Sequence, residues 1–221
     1  MKKITKLFVM AALLMVGSQI YAQEEHEYVD LGLPSGTLWA TCNLGATTPE
    51  GYGDYFAWGE TAPKDTYSYD KKKYLLCHNL RLTKYCNNRY SGDIDNLTIL
   101  QSIDDAAAVN WGNDWRMPTK EQWEELLQNT TQEWITQSNV NGCLFTASNG
   151  NSMFLPASGR IMEGGGNGER RFGACYWTSS LNIEFDQNAW HGVIAQNNKR
   201  VDFCSRWCGC SIRPVRTEPK K

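Results

Sequence analysis

The chain has 221 residues, 21% of them charged, with 22 Lys and Arg set against 24 Asp and Glu. This slightly acidic balance argues against a nucleic-acid binder, which needs concentrated positive charge to displace counterions. Beyond the N-terminus no stretch is apolar enough to cross a bilayer as a helix, a task that takes roughly 20 residues.

Met1-Lys2-Lys3-Ile4-Thr5-Lys6 is a basic start, Leu7 to Val16 is an apolar run, and Gly17 to Ala22 offers a small residue just before Gln23. This is the layout of a secretory signal. Residues 1–22 are therefore expected to be a signal peptide, and residues 23–221 a single domain. Loss of Lys2, Lys3 and Lys6 makes the remainder more acidic. No cysteine lies near the cut, so the expected destination is periplasm, cell surface or medium without a lipid anchor.

An exported chain meets an oxidising compartment, so disulfides are the first reading for Cys42, Cys77, Cys86, Cys143, Cys175, Cys204, Cys208 and Cys210. Spacing leaves the pairing open. Cys77 and Cys86 bracket a short polar loop and are the one pair the spacing favours.

In chain order, Pro34-Ser35-Gly36 predicts a turn between two short strands. Gly45 to Gly59 is rich in glycine and aromatics, and the polar stretch from Lys64 to Asn96 reads as a surface excursion. Ser102 to Asp105 opens a first helix, its acids suited to the positive end of the helix dipole. A second helix starts at Thr119. Gln122 sits at capping-box spacing, and Trp123, Leu126 and Leu127 share one face. Past Asn129 strands take over. Leu144-Phe145-Thr146 and Met153-Phe154-Leu155 flank a hairpin turn at Asn149-Gly150-Asn151. Further strands are expected at Tyr176–Ser180, Ala189-Trp190 and Ser211–Arg216. Short strands with two mid-chain helices indicate an α+β domain.

The blocks Tyr28–Asn43, Gly53–Glu60, Asp104–Ala107, Asn110-Trp111-Gly112, Trp115–Thr119, Phe154–Ala157, Tyr176–Ser180 and Ile212–Val215 follow one another in an order that resembles the Fibrobacter succinogenes major paralogous domain family, common in exported proteins of Bacteroidetes-type bacteria. The resemblance spans almost the whole chain after residue 22. It implies a fold similar to C-type lectins and formylglycine-generating enzymes, and it supplies no reaction. In some members, the segment between the Tyr-Trp block and the final Arg-Pro-Val is a ligand surface diversified by a retroelement.

The candidate ligand surface is accordingly His191, Asn197, Asn198, Arg200, Asp202, Phe203, Ser205, Arg206 and Trp207. Aromatic rings and Arg dominate binding hot spots because they bury much area at low entropy cost. Trp207 is expected at the surface. Trp39, Trp58, Trp111, Trp115, Trp177 and, by strand alternation, Trp190 are assigned to the core. The expected partner is a protein or glycan, with no cofactor and no catalytic residue.

Two alternatives stand beside this reading. One is a copper- or thiol-dependent oxidase resembling the formylglycine generators, carried by Cys204, Cys208 and Cys210, although the spacing differs from that of their cysteine pair. The other is a structural envelope or adhesin component. Asp104 and Asp105 point in different directions on a helix and read as helix-start residues. Glu121 and Glu125 read as solvated. Trp111 to Trp115 offers too few oxygens for calcium. The glycines from Gly164 to Gly168 lack the frame of a phosphate loop.

Overall fold

A computed structural model describes residues 26–67, 74, 76–162 and 170–217. The expected signal peptide at 1–22 and the Gly164–Gly168 run lie outside the described residues.

The described chain is α+β, with many short antiparallel strands in small sheets and few helices. Strands β1 (Tyr28–Asp30) and β2 (Thr37–Ala40) flank the expected turn, where the Gly36 N–H donates to the Leu33 carbonyl at 2.8 Å. Gly36 has φ +69°, a left-handed conformation that side-chain-bearing residues rarely adopt. The last strand, β11 (Val215–Thr217), pairs with the other edge of β2, so both ends of the described chain share one sheet. A small hairpin of β3 (Cys77–His78) and β4 (Arg81–Leu82) follows β2.

Helix α1 (Ala106–Trp111) is preceded by a single 3-10 turn at Ser102–Asp104. Asp105 caps it, its carboxylate accepting from the N–H groups of Ala107, Ala108 and Met117. Helix α2 (Lys120–Asn129) has the full capping box. The Thr119 hydroxyl accepts from the Gln122 N–H, and the Gln122 side chain accepts from the Thr119 N–H. Its Trp123 and Leu126 are buried as the spacing required.

Strands β5 (Thr130–Gln137), β6 (Val140–Ala147) and β7 (Ser152–Pro156) form a meander, with the expected hairpin between β6 and β7. Strands β8 (Gly173–Leu181), β9 (Asn188–Ala195) and β10 (Asn198–Ser205) form a third sheet, with β9 in the middle and β10 at an edge.

This third sheet is the wall between two hydrophobic cores. Successive strand residues point to opposite faces. Ala174, Tyr176, Ile194 and Val201 therefore pack with Trp39, Trp123, Leu126, Phe145, Leu155 and Val215 on one side. Cys175, Trp177, Ala189, Val193 and Cys204 pack with Trp58, Tyr67, Tyr74, Tyr85, Cys208, Cys210 and Ile212 on the other. Gly192 faces α2 so closely that an added Cβ would stand 2.5 Å from the Trp123 ring.

Four of the assigned core tryptophans, Trp39, Trp58, Trp115 and Trp177, are buried. Trp58 and Trp177 tie the glycine-aromatic segment to β8 by donating to the carbonyls of Thr178 and Phe56. Trp111 and Trp190 differ from expectation and are only half-buried. Trp111 stacks on His26, ring centroids 3.8 Å apart. Trp190 closes a surface cleft with Lys120 over its ring.

The stretch from Lys64 to Asn96 also departs from its expected place on the surface. Its described part sends Tyr67, Tyr74, Leu76, Leu82, Tyr85 and Cys86 into the second core. Polar average composition hid six inward side chains that lack helical or strand periodicity. Cys77 and Cys86 are not bridged; the Cys86 thiol donates to the Asn88 carbonyl and the Asp186 carboxylate.

Candidate functional site

The nine residues expected to form one ligand surface are divided by the strand geometry of β9 and β10. That segment is a regular hairpin, and its alternation sends neighbours to opposite faces. Asn197 and Asn198 are exposed at the tip. Arg200 and Asp202 share a face and form an ion pair at 2.6 Å. Burial raises the Asp202 pKa, but the Phe203 N–H and the Arg200 guanidinium outweigh it and hold the carboxyl below its ordinary range. Phe203 points the opposite way and is 40% exposed, while Ser205 is half-buried.

His191, Arg206 and Trp207 correct the expectation outright, for all three are buried. Arg206 is enclosed by the rings of Trp58, Tyr74 and Tyr85. It donates to the carbonyls of Lys84, Tyr85 and Asp186 and to the Tyr74 hydroxyl. Trp207 packs edge-on against Tyr74. A planar guanidinium can be held without a carboxylate when carbonyls and aromatic faces surround it. Tyr74, Lys84 and Tyr85 come from the stretch expected as a surface excursion, and Trp58 and Asp186 come from either side of it.

What the hairpin does bring together with its surroundings is an aromatic cleft of about 350 Å³. Its walls are Ile99, Ile183, Trp190 and Phe203, its rim carries Lys120, Glu121 and Glu184, and Asn182 lies buried beneath it. Phe203 meets Trp190 edge-to-face at 5.5 Å and stacks with Phe185 at 6.0 Å. Ile99, Ile183, Phe185 and Phe203 are all exposed hydrophobics. The segment bearing Ile183 and Phe185 is held by the Asn182 carboxamide, which accepts from the N–H groups of Glu184 and Phe185. Sequence reading retained only Phe203 here and gave Trp190 to the core. The missed signal is Ile183-Glu184-Phe185, two apolar side chains in an otherwise polar turn.

On the opposite face of the sheet lies a buried cluster of thiols around His191. Cys175 and Cys204 both act electrostatically on His191, whose buried Nδ1 has no hydrogen-bond partner among the described residues. Cys210 bonds to both Cys175 and Cys204, and Cys208 bonds to Cys204. Spacing in the sequence groups Cys204, Cys208 and Cys210 but not Cys175, which sits on β8 at the same parity as Trp177.

The hydrogen bonds from Cys208 and Cys210, helped by His191, hold Cys204 well below the ordinary thiol range. Its bond to Cys210 is also the main cause that lowers Cys175 to about 6. Burial opposes charge on His191, but Cys175 and Cys204 outweigh it and raise the imidazole to about 10. Burial and the bonds to the thiolates push Cys208 and Cys210 up. Among the described residues, no group of three or more His, Cys, Asp or Glu has a placement suited to a metal ion.

The remaining candidates resolve as local structure. Asp105 is the α1 cap, and Asp104 pairs with Lys84 and the Tyr85 hydroxyl. Glu125 accepts from the Ser35 N–H and hydroxyl, so it ties α2 to the β1–β2 turn. Glu121 stands on the rim of the cleft. Among the described residues, no helix is long and apolar enough to cross a membrane.

Comparison with protein-family profiles, characterised proteins and solved structures returns no match.

Proposed function

We propose that the chain is an exported ligand-binding module of C-type-lectin-like architecture, and that it holds a glycan in the aromatic cleft beside β9 and β10. The ordered blocks resembling the major paralogous domain family support the architecture. The secretory layout of residues 1–22 supports export.

One observation carries the ligand reading: Ile99, Ile183 and Phe203, the last stacked on exposed Phe185, leave apolar surface exposed at a cleft rimmed by Lys120, Glu121 and Glu184. Contiguous apolar surface with a polar rim marks interaction sites, and the cleft volume falls in the range of small-ligand pockets. Aromatic rings take the C–H faces of a sugar, while carboxylate and ammonium groups take its hydroxyls. A protein ligand is the second class; a stable protein interface covers about 800 Å² on each partner, more than a cleft of this kind presents.

The test is binding of the full exported chain to an immobilised oligosaccharide array, beside Phe203→Ala and Ile183→Asn variants. Wild type should retain a defined set of glycans. Each variant should lose at least about tenfold in affinity, the worth of one hot-spot side chain, with unchanged circular dichroism. Glycan binding that survives both substitutions would remove the cleft as the site. If no glycan binds and Phe203→Ala abolishes capture of an envelope protein, the site belongs to a protein ligand.

A further inference from the structure

Cys175, Cys204, Cys208 and Cys210 are free thiols in the structure, and we infer that on oxidation they form a two-disulfide site in which Cys175 pairs with Cys210 and Cys204 pairs with Cys208. The inference concerns the face of the sheet opposite the cleft and stands independently of the ligand proposal.

Backbone geometry supplies the first pair. Tyr176 and Ser211 form a parallel bridge, and the Trp177 N–H donates to the Ser211 carbonyl at 3.0 Å. The preceding residues on the two segments, Cys175 and Cys210, therefore lie side by side and turn the same way. Neighbouring strands run about 4.8 Å apart, which falls within the Cα separation of roughly 4.4–6.8 Å that a disulfide spans.

The second pair is made by the chain reversal after β10. The Cys208 N–H donates to the Ser205 carbonyl at 3.0 Å, folding Cys208 back toward Cys204. The thiols that act most strongly on one another are Cys175 with Cys210, Cys204 with Cys208, and Cys204 with Cys210. Only one choice among these pairs uses all four sulfurs, because joining Cys204 to Cys210 strands Cys175 and Cys208.

Two of the other cysteines are committed elsewhere. Cys143 lies in the first core, and Cys86 is committed to Asp186 and Asn88.

The chemistry is thiol–disulfide exchange with a low-molecular-weight disulfide as the oxidant. As the cluster assembles, the Cys204 thiolate attacks one sulfur of glutathione disulfide. Its S–S bond breaks and one glutathione thiolate leaves. Cys208 then gives up its proton and attacks the Cys204 sulfur of the mixed disulfide, and the second glutathione thiolate departs. Two protein thiols are oxidised to one disulfide while one glutathione disulfide is reduced to two glutathiones. Cys175 and Cys210 consume a second equivalent in the same way.

The reduced, unfolded chain would be refolded in a buffer of glutathione and glutathione disulfide, quenched in acid, alkylated and mapped by mass spectrometry without reduction. The expected products are one cross-linked peptide joining Cys175 to Cys210 and a second species bridged from Cys204 to Cys208, with Cys86 and Cys143 alkylated. Cys208→Ser should keep the Cys175–Cys210 bridge, and Cys210→Ser should keep the Cys204–Cys208 bridge. Reduction should lower the melting temperature, most of the loss following the Cys175–Cys210 bridge because it closes the longer loop. A Cys204–Cys210 link, full alkylation of all four thiols, or stoichiometric zinc or copper retained by the refolded chain would each overturn the assignment.

Discussion

Arg206 is bound to Trp58 twice, through its carbonyl, which accepts from the Trp58 N–H at 2.7 Å, and through its guanidinium, which lies 4.8 Å from the centre of the indole ring. The side chain thus joins the end of β10 to the glycine-aromatic segment and, through Lys84, Tyr85 and Asp186, to two further loops.

Replacing Arg206 by Met should keep most of its packing volume and still destabilise the chain by about 3–5 kcal/mol, because three buried carbonyls lose their donors together. Urea denaturation of the two chains measures the difference. Arg206→Lys should recover only part of it, since a single ammonium cannot reach carbonyls spread around a planar fork. Full stability in Arg206→Met would mean that the carbonyls are satisfied without it.

Gly192 offers a test of the wall between the cores. Its added Cβ would stand 2.5 Å from Trp123. Gly192→Ala should therefore cost about 1–3 kcal/mol through displacement of α2 from β9, read as a lower urea midpoint with an unchanged slope. A neutral result would mean that α2 slides on the sheet.

Asp105 accepts three N–H groups, from Ala107, Ala108 and Met117. Asp105→Ala should cost about 2–4 kcal/mol, more than an ordinary cap alone at about 1 kcal/mol, because the Met117 N–H is also left buried and unpaired. Asp105→Asn keeps an acceptor and should lose less. Equal losses in the two variants would show that the acceptor oxygens are not what the site uses.

The reduced cluster gives a pH dependence whose sign can be worked out. Cys175 is lowered from 9.0 to about 6, so its contribution is present above the unfolded value and lost as pH falls through about 6. His191 is raised from 6.5 to about 10, so its contribution is full below 6.5 and lost as pH rises through about 10. Between 6.5 and 9.0 the folded pair, one thiolate and one imidazolium, holds as many protons as the unfolded pair, one thiol and one neutral imidazole. The contribution of this pair should therefore be flat through neutrality, fall as pH drops toward 6 and fall again as pH rises toward 10, while Cys204, also held below its ordinary range, adds stability that is lost as pH falls below 9.0. Denaturant midpoints of the reduced chain, compared with His191→Gln, isolate the effect. The variant should lose the alkaline limb; an identical alkaline limb in both chains would exclude His191 as its source.

Much of the architecture was legible because it rests on local chemistry. Thr119 and Gln122 announce the start of α2, Asn149-Gly150-Asn151 announces the β6–β7 hairpin, and Trp123 and Leu126 mark the inner face of a helix. The candidate site was less legible. His191 and Trp190 are adjacent in sequence and end on opposite sides of the sheet, one among thiols and one at the cleft. Without the pairing of His191 with Trp177 and Asp202, nothing in the residue types assigns those sides. Arg206 has the composition of a surface hot spot, and only long-range partners near Tyr74 and Tyr85 turn it into a core residue.

The turn that carries Phe185 is fastened at both ends. The Asn182 N–H donates to the Asn188 carbonyl, the Asn188 N–H donates to the Phe185 carbonyl, and Asp186 is tied through its carbonyl to Arg206 and through its carboxylate to Cys86. A guest arriving at this corner meets rings already locked in place and surrenders little chain freedom on docking. Loosening that fastening, as in Asn182→Ala, is a route to weaker capture in which every contacting ring remains in the sequence.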